Sequence, residues 1–470
     1  MNRQPETPSA VVAERPTQAE DIQRYKSWVE PSVWTDRMLT TLENGVKGGQ
    51  WFSLIDKVWR PANLWSSYQK VRENGGSAGV DNQSIARFSR QADRELERLS
   101  ERLRTDRYHP QAIRRVYIPK AGGGQRPLGI PTVRDRVVQG ALRQVIEPIF
   151  EKTFAEGSYG FRPRRGAKDA LREVNRLLEA GYQQVVDVDI QGYFDSIPHE
   201  RLMAQVRQRI SDGRILRLIE QFLQQPIWEN QQEIAVTSGT PQGGLISPLL
   251  ANIYLNPLDH QMEQQGYRMI RYADDMVILC REARQAQHAL QVVQEWMKTA
   301  QLQLHPDKTR IVDLSEGNAY FDFLGYRFKR NPRSDRIDRW PRPRSSQKLR
   351  EQLRPHLRRC NGHSLGNIIA RINPTLQGWY AYFKHARRGA MEEIDGWVRM
   401  RLRSILRKRN GGSGRGRGQD HHRWPNDYFA EQGLFSLTTA HLLEGQSVRR
   451  ETIDRRAVCG RPARTVRREG

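Results

Sequence analysis

Residues 271–280 read RYADDMVILC, with two adjacent carboxylates, Asp274 and Asp275, set between the apolar runs GYRMIRY (266–272) and MVILC (276–280). Both runs have the composition of short strands, and aspartate is a favoured turn residue, so the stretch predicts a β-hairpin with carboxylates at its tip. One aspartate satisfies a turn. Two repel each other unless water or a cation screens them, and the flanks are read as offering no local cation. Hard divalent cations such as Mg²⁺ take oxygen ligands, commonly one or two carboxylates together with substrate phosphates.

A second acidic string lies upstream, VVDVDIQGYFDSIPHE (185–200). Asp187 and Asp189 are two residues apart and would share one face of a strand. Residues of this kind at the end of a buried strand suit a metal better than a core, and spacing alone does not choose between them. Two such strands joined in one sheet could hold a pair of metal ions about 4 Å apart for in-line phosphoryl transfer. Asp195 is read as support for the start of the following helix.

Other groups suit a phosphorylated substrate. Lys120 and Arg126 flank the Gly-rich turn AGGG, from which both side chains could converge on a polyphosphate. TSGTPQGGLISP (237–248) holds Gln242 among Gly239, Gly243 and Gly244, glycines read as permitting close backbone approach to a ligand. No Gly-Lys-Ser/Thr follows, so this is not a P-loop, and no nucleophile-elbow string is present.

The 470-residue chain carries a formal net charge of +24, with a pI near 10.3 and a hydrophobic fraction of 37%. A balance that basic points to a polyanion, nucleic acid before an acidic membrane. Residues 341–470 hold 28 Lys and Arg against 11 Asp and Glu, +17 of the total from little more than a quarter of the chain. Cys280, Cys360 and Cys459 are the only cysteines and form no Cys-x-x-Cys pair, which argues against a zinc ribbon or a disulfide framework and suits a reducing cytoplasm. The polar N-terminus lacks a signal-peptide core, and no apolar run is long enough to span a membrane.

Along the chain, residues 1–30 read as a loosely ordered lead-in and 31–75 as an N-terminal extension with amphipathic helices from Trp51 to Arg72. NGGSAGVDN (74–82) reads as a loop. Strands and helices then interleave over 76–335: strands at AIRRVYIPK (112–120) and YQQVVDVDI (182–190), a helix at RDRVVQGALRQVIEPIF (134–150), and a helix from His199 opened by Ser196. Residues 336–410 are helical by pattern, and 411–470 begin with NGGSGRGRGQD, read as a flexible basic linker. The class is α+β.

Taken in order, eight strings resemble the reverse transcriptases encoded by bacterial group II introns, the maturase family: WSSYQKVRENGGSAGVD, YIPKAGGGQRPLGIPTVRDRVVQ, SYGFRPRRGAKDA, VVDVDIQGYFDSIPHERL, TPQGGLISPLLANIYLNPLD, RYADDMVIL, LHPDKTRI and FDFLGYRF. The resemblance continues through NPTLQGWYAYF and RWPNDYFAEQGLFSL. It implies a right-hand polymerase fold of fingers, palm with an antiparallel sheet, and thumb, followed by a helical maturase domain and a basic tail that binds nucleic acid.

The resemblance also implies residue roles. Asp189, Asp274 and Asp275 match the catalytic carboxylates, with Asp189 and Asp274 bridging two Mg²⁺ ions, for which Mn²⁺ can substitute, and Ile190 giving its backbone carbonyl. Phe194 matches the aromatic gate that favours dNTP over NTP. Lys120 and Arg126 match the grip on the triphosphate, Gln242 a contact to nucleotide and template, and Lys308 a proton donor to the leaving pyrophosphate. Phe323, Leu324, Gly325 and Tyr326 match the primer-gripping hairpin. The partners implied are group II intron RNA, an RNA template with a DNA primer, target DNA and dNTP, with no membrane. The cysteine pairs of an HNH endonuclease are missing, so that domain is expected to be absent. The function implied is RNA-directed DNA synthesis with assistance to splicing and support of intron mobility by target-primed reverse transcription. The alternatives are a domesticated reverse transcriptase in defence or repair, and a non-enzymatic RNA chaperone.

Overall fold

The computed structural model describes residues 18–119, 124–331, 334 and 336–444. Lys120 lies outside them, as do Cys459 and the last part of the basic tail. Eleven strands are described: β1 (Ile113–Pro119), β2 (Gln125–Ile130), β3 (Gln184–Val188), β4 (Ile227–Glu229), β5 (Gln232–Ile234), β6 (Arg268–Tyr272), β7 (Asp275–Cys280), β8 (Arg310–Asp313), β9 (Tyr320–Phe323), β10 (Tyr326–Arg330) and β11 (Ile337–Pro341). They form three sheets, in the orders β2-β1-β4-β5, β6-β7-β3-β8 and β11-β10-β9. The α+β expectation holds. The chain divides into two compact units, residues 1–173, 186–280 and 284–310 against 174–185, 281–283 and 311–470; β3 and β8 run across the division.

In the first unit the helices Val133–Glu151 and Ser247–Gln264 are buried along most of their length. Both bury polar side chains along with their apolar ones, among them Asp135, Arg136 and Gln139 in the first and Asn252 and Asp259 in the second. The helix Pro61–Asn74 packs on the first of them through polar side chains as well as apolar ones: Asn63 Nδ2 donates to the Ala141 carbonyl at 3.1 Å and Ser67 Oγ to that of Val137 at 2.7 Å. Gln18–Lys26, read as irregular, is helical. The chain that follows it is anchored by buried Val33 and Trp34, whose Nε1 donates to the Gln144 carbonyl at 3.0 Å. Tertiary burial there outweighs a weak local pattern.

Two helix-start expectations change. The helix His199–Arg207 has Pro198 at its N-cap with no side-chain cap, and Ser196 instead ends a preceding short helix, Tyr193–Ser196, where its Oγ donates to the Tyr193 carbonyl. Asp195 lies inside that short helix rather than at the start of the next one.

In the second unit β9 and β10 join through a two-residue turn, with Leu324 at φ +47° and Gly325 at +82°. Positive φ at both turn residues is the type I′ geometry that matches strand twist. Phe321 and Phe328 stack face to face at 4.8 Å beneath it. Helices Pro343–Leu353, Leu365–Phe383 and Arg388–Arg409 follow, as the pattern predicts, with the second capped by Ser364, which accepts from the Asn367 amide. The segment read as a flexible linker folds back on the last of these helices. Arg407 donates to the Ser413 carbonyl at 2.8 Å and pairs with Asp420 at 2.5 Å, and Asp420 also accepts from the Arg417 amide. Buried Trp424, Phe429 and Leu437 anchor what comes after. Asp395, itself buried, accepts from the amides of Leu437 and Thr438 and from Ser436 Oγ. No helix among the described residues is long and apolar enough to cross a membrane.

Candidate active site

The hairpin predicted at residues 266–280 forms, with Tyr272 opposite Asp275 and a two-residue turn of Ala273 and Asp274. Ala273 has φ +61°. Two devices hold this turn. The first is Arg271, fully buried, whose guanidinium is bidentate on buried Asp259 (Nε to Oδ1, 2.7 Å) and donates to Asn252 Oδ1 at 2.9 Å, Ser158 Oγ at 2.8 Å and the Ala273 carbonyl at 2.9 Å. Arg271 is the local cation that the sequence reading overlooked. The second is the main chain of 157–160: Tyr159 N donates to the Arg271 carbonyl and Arg271 N to that of Gly157, each at 2.8 Å. At Gly160 an added Cβ would lie 2.2 Å from Ala273 N, so only glycine lets the two backbones meet.

Asp189 comes to the same place from the end of β3. Its carbonyl accepts from the His305 amide at 2.8 Å, and Ile190 bridges Leu304, so the 303–309 loop fixes the position of both. The carboxylate carries Lys308, with Nζ 3.1 Å and 3.3 Å from its two oxygens. Asp187, the other candidate, pairs with Arg310 at 3.7 Å. Burial holds the Asp274 carboxyl above the ordinary carboxylate range, and the charge of Asp189 adds to that, against the pull of Arg126 and Arg271. Asp189 and Asp274 are thus electrostatic neighbours.

The donor chemistry fits a hard divalent cation. A carboxyl that burial and a neighbouring carboxylate both hold above its ordinary range is relieved by a cation at the pair, and an ammonium group already lies on Asp189. Among the described residues, however, no group of three or more His, Cys, Asp and Glu side chains is gathered so as to hold a metal. What stands ready is the pair, with Asp275 opening β7 beside it.

Arg126, Gln242 and Asp195 form a chain of hydrogen bonds in the same unit. Arg126 Nε donates to Gln242 Oε1 at 3.1 Å and Gln242 Nε2 to Asp195 Oδ2 at 2.9 Å. The carboxylate can only accept and the guanidinium can only donate, so this order fixes the amide orientation. The glycines around Gln242 allow close approach, but to protein backbone rather than to a ligand. A Cβ at Gly243 would lie 2.1 Å from the Gly129 carbonyl and one at Gly239 2.8 Å from the backbone of Asp195. Thr240 N donates to the Phe194 carbonyl at 2.6 Å, which ties this loop to Phe194. Beneath β1 and the 234–242 segment lies a cavity of about 360 Å³ lined by Arg115, Asp195, Thr240 and Gln242.

Phe194 is half-buried, with the rings of Tyr193 at 5.5 Å and Phe161 at 6.4 Å. The hairpin with Phe323–Tyr326 belongs to the second unit. The side chains of Phe323 and Tyr326 are buried there, and Tyr382 Oη donates to the Leu324 carbonyl at 2.8 Å. Sequence reasoning missed Asp259, Asn252, Gly160, Phe161 and the contact of Asp195. The string SYGFRPRRGAKDA, with a glycine before an aromatic, was the available signal for two of them.

The reverse transcriptase (RNA-dependent DNA polymerase) family matches residues 118–328, and the group II intron maturase-specific domain matches 346–424. Protein YkfC of Escherichia coli (strain K12) is 34% identical over 294 residues, 54% of this chain and 76% of that protein. The group II intron-encoded protein LtrA of Lactococcus lactis subsp. cremoris is 37% identical over 221 residues, 46% of this chain but only 36% of LtrA. The match thus leaves most of LtrA's length outside it. The chain belongs to the reverse transcriptases, metal-dependent RNA-directed DNA polymerases, and carries a group II intron maturase-specific domain.

Proposed function

We propose that the chain copies RNA into DNA at the Asp189–Asp274 pair and that its basic helical part binds a group II intron RNA, assisting splicing and supporting target-primed reverse transcription. The observation that carries this reading is the meeting, within one unit, of the Asp189 and Asp274 carboxylates, the second held above its ordinary range by burial and by the charge of the first, with the Arg126–Gln242–Asp195 chain.

In this reading Asp189 and Asp274 hold two Mg²⁺ ions, with Asp275 and the Ile190 carbonyl in support, and Mn²⁺ substitutes. Bound there, the metal supplies activation of the primer 3′-hydroxyl and neutralisation of charge on the transferring phosphoryl group. Arg126, with Lys120 from the turn beside it, binds the triphosphate. Gln242 sets the nucleotide against its template, and Phe194 fills the space of a ribose 2′-hydroxyl. Lys308 gives a proton to the departing pyrophosphate. The primer contact falls to the backbone turn Leu324–Gly325, because Phe323 and Tyr326 face their own core. Residues 31–75 serve as the N-terminal extension, 76–335 as fingers and palm, 336–410 as thumb and maturase domain, and 411–470 as a nucleic-acid-binding tail, in the cytoplasm. Binding through phosphates makes RNA affinity fall steeply with salt.

Primer extension on an RNA template by the purified full chain tests the polymerase. Synthesis is expected with Mg²⁺ or Mn²⁺, and none with EDTA or in Asp274→Ala. Extension by an Asp274→Ala/Asp275→Ala chain would refute the site assignment.

A further inference from the structure

Phe161 is unusual in two respects. Its φ is +57°, in the left-handed region that bulky side chains rarely occupy, and its ring is 43% exposed. Its neighbours show how that backbone is held. The Gly160 carbonyl accepts from Asn252 Nδ2 at 2.7 Å, and Gly160 lies flush on Ala273. Arg162 on the other side is buried against Glu151 at 2.8 Å and donates to the carbonyls of Ala155 and Ser158 at 2.7 and 2.8 Å. Glycine would adopt this φ without strain, and an exposed ring adds little to the core. What the ring does touch is the candidate site. It stands 6.4 Å from Phe194, edge to face at 81°, and 6.4 Å from Tyr272 at 39°.

We propose that Phe161 is a positioning residue for sugar selection, a brace whose ring keeps Phe194 in place so that nucleotides bearing a 2′-hydroxyl are excluded. The inference rests on the polymerase reading and on Phe194 as the gate. Two aromatic contacts are described for Phe194. One is Tyr193, which is buried with its hydroxyl donated to the Ala251 carbonyl at 2.5 Å and does not yield. The other is the ring of Phe161. Removing it opens space into which the gate ring can swing when a 2′-hydroxyl presses on it. An edge-to-face pair at this separation is strong enough to change a ratio of rates by roughly 2- to 10-fold.

The test compares kcat/KM for a dNTP and its matching rNTP on an RNA template with a DNA primer, using the full chain as wild type, Phe161→Gly, Phe161→Tyr and Phe194→Ala. Phe161→Gly is expected to lower the dNTP-over-rNTP ratio roughly 2- to 10-fold, with a melting temperature no lower than wild type, because backbone strain is released. Phe161→Tyr keeps the ratio. An unchanged ratio in Phe161→Gly, while Phe194→Ala loses discrimination, leaves the gate standing and overturns the brace. An unchanged ratio in Phe194→Ala overturns the gate assignment and the brace with it. A Phe161→Gly chain that melts several degrees lower makes the ring structural and also overturns the proposal.

Discussion

Replacing Arg271 by methionine removes a guanidinium that makes five hydrogen bonds in a site closed to water. The Asp259 carboxylate, 2% exposed, loses both of its bonds to that group. Asn252 Oδ1, Ser158 Oγ and the Ala273 carbonyl each lose a donor at 2.8–2.9 Å. Buried neutral groups left without a partner cost about 1–3 kcal/mol each before relaxation. Breaking a buried ion pair by removing one partner costs about 3–5 kcal/mol overall, so we expect about 4 kcal/mol for Arg271→Met. At a urea dependence near 3 kcal/mol per molar the unfolding midpoint falls by about 1–1.5 M. Equilibrium unfolding followed by fluorescence and circular dichroism measures it. The double variant Arg271→Met/Asp259→Leu is expected to recover more than half of the loss, because the orphaned charge is gone. A single-variant cost under about 1 kcal/mol, or strict additivity in the double variant, would show that the pair does not hold the turn.

Two further outcomes follow from the site and from the second unit. The folded protein holds the Asp274 carboxyl above its ordinary range, so the native state binds this proton more tightly than the unfolded chain does. This group therefore lowers stability as pH rises through the folded-state value, and the penalty vanishes below the unfolded value. Metal-free Asp274→Asn should accordingly melt above wild type at pH 7, with the gap closing toward pH 4; a gap that widened on acidification would contradict the assigned electrostatics. Asp395→Ala removes the acceptor for Leu437 N, Thr438 N and Ser436 Oγ, at an expected local cost of about 1–3 kcal/mol. Hydrogen exchange should show faster opening of 434–444, and unchanged protection there would contradict it.

The hairpin and the helix over 134–150 were legible because each is a local pattern: short apolar runs around a turn in one case, helical spacing in the other. The helix Ser247–Gln264 was not read from the sequence. Motif order picked out Asp189 and Asp274 as candidates, where spacing alone left Asp187 open. Arg271 was not legible. It reads as an ordinary strand residue until Asp259 and Asn252, from one helix, and Ser158, from another segment, are brought around it. Asp195 was hidden in the same way, since its partner Gln242 lies 47 residues downstream. The segment after Asn410 looked mobile because glycine and arginine dominate it; a single carboxylate, Asp420, turns it back. What stayed hidden was therefore side-chain pairing across long separations.

The contact of the 157–160 segment with the Ala273–Asp274 turn has a consequence for inheritance. Tyr159 and Gly157 hold the strand that enters the turn through an amide and a carbonyl group, atoms that every residue except proline brings with it. The side chain at 159 can therefore drift over many generations while this grip stays put. The main-chain grip is brittle at Gly157 and Gly160, where an added Cβ would lie 2.3 Å from the Met269 carbonyl and 2.2 Å from Ala273 N. A library randomised across 157–160 should recover active chains of varied sequence at 159 and a single residue at 157 and at 160.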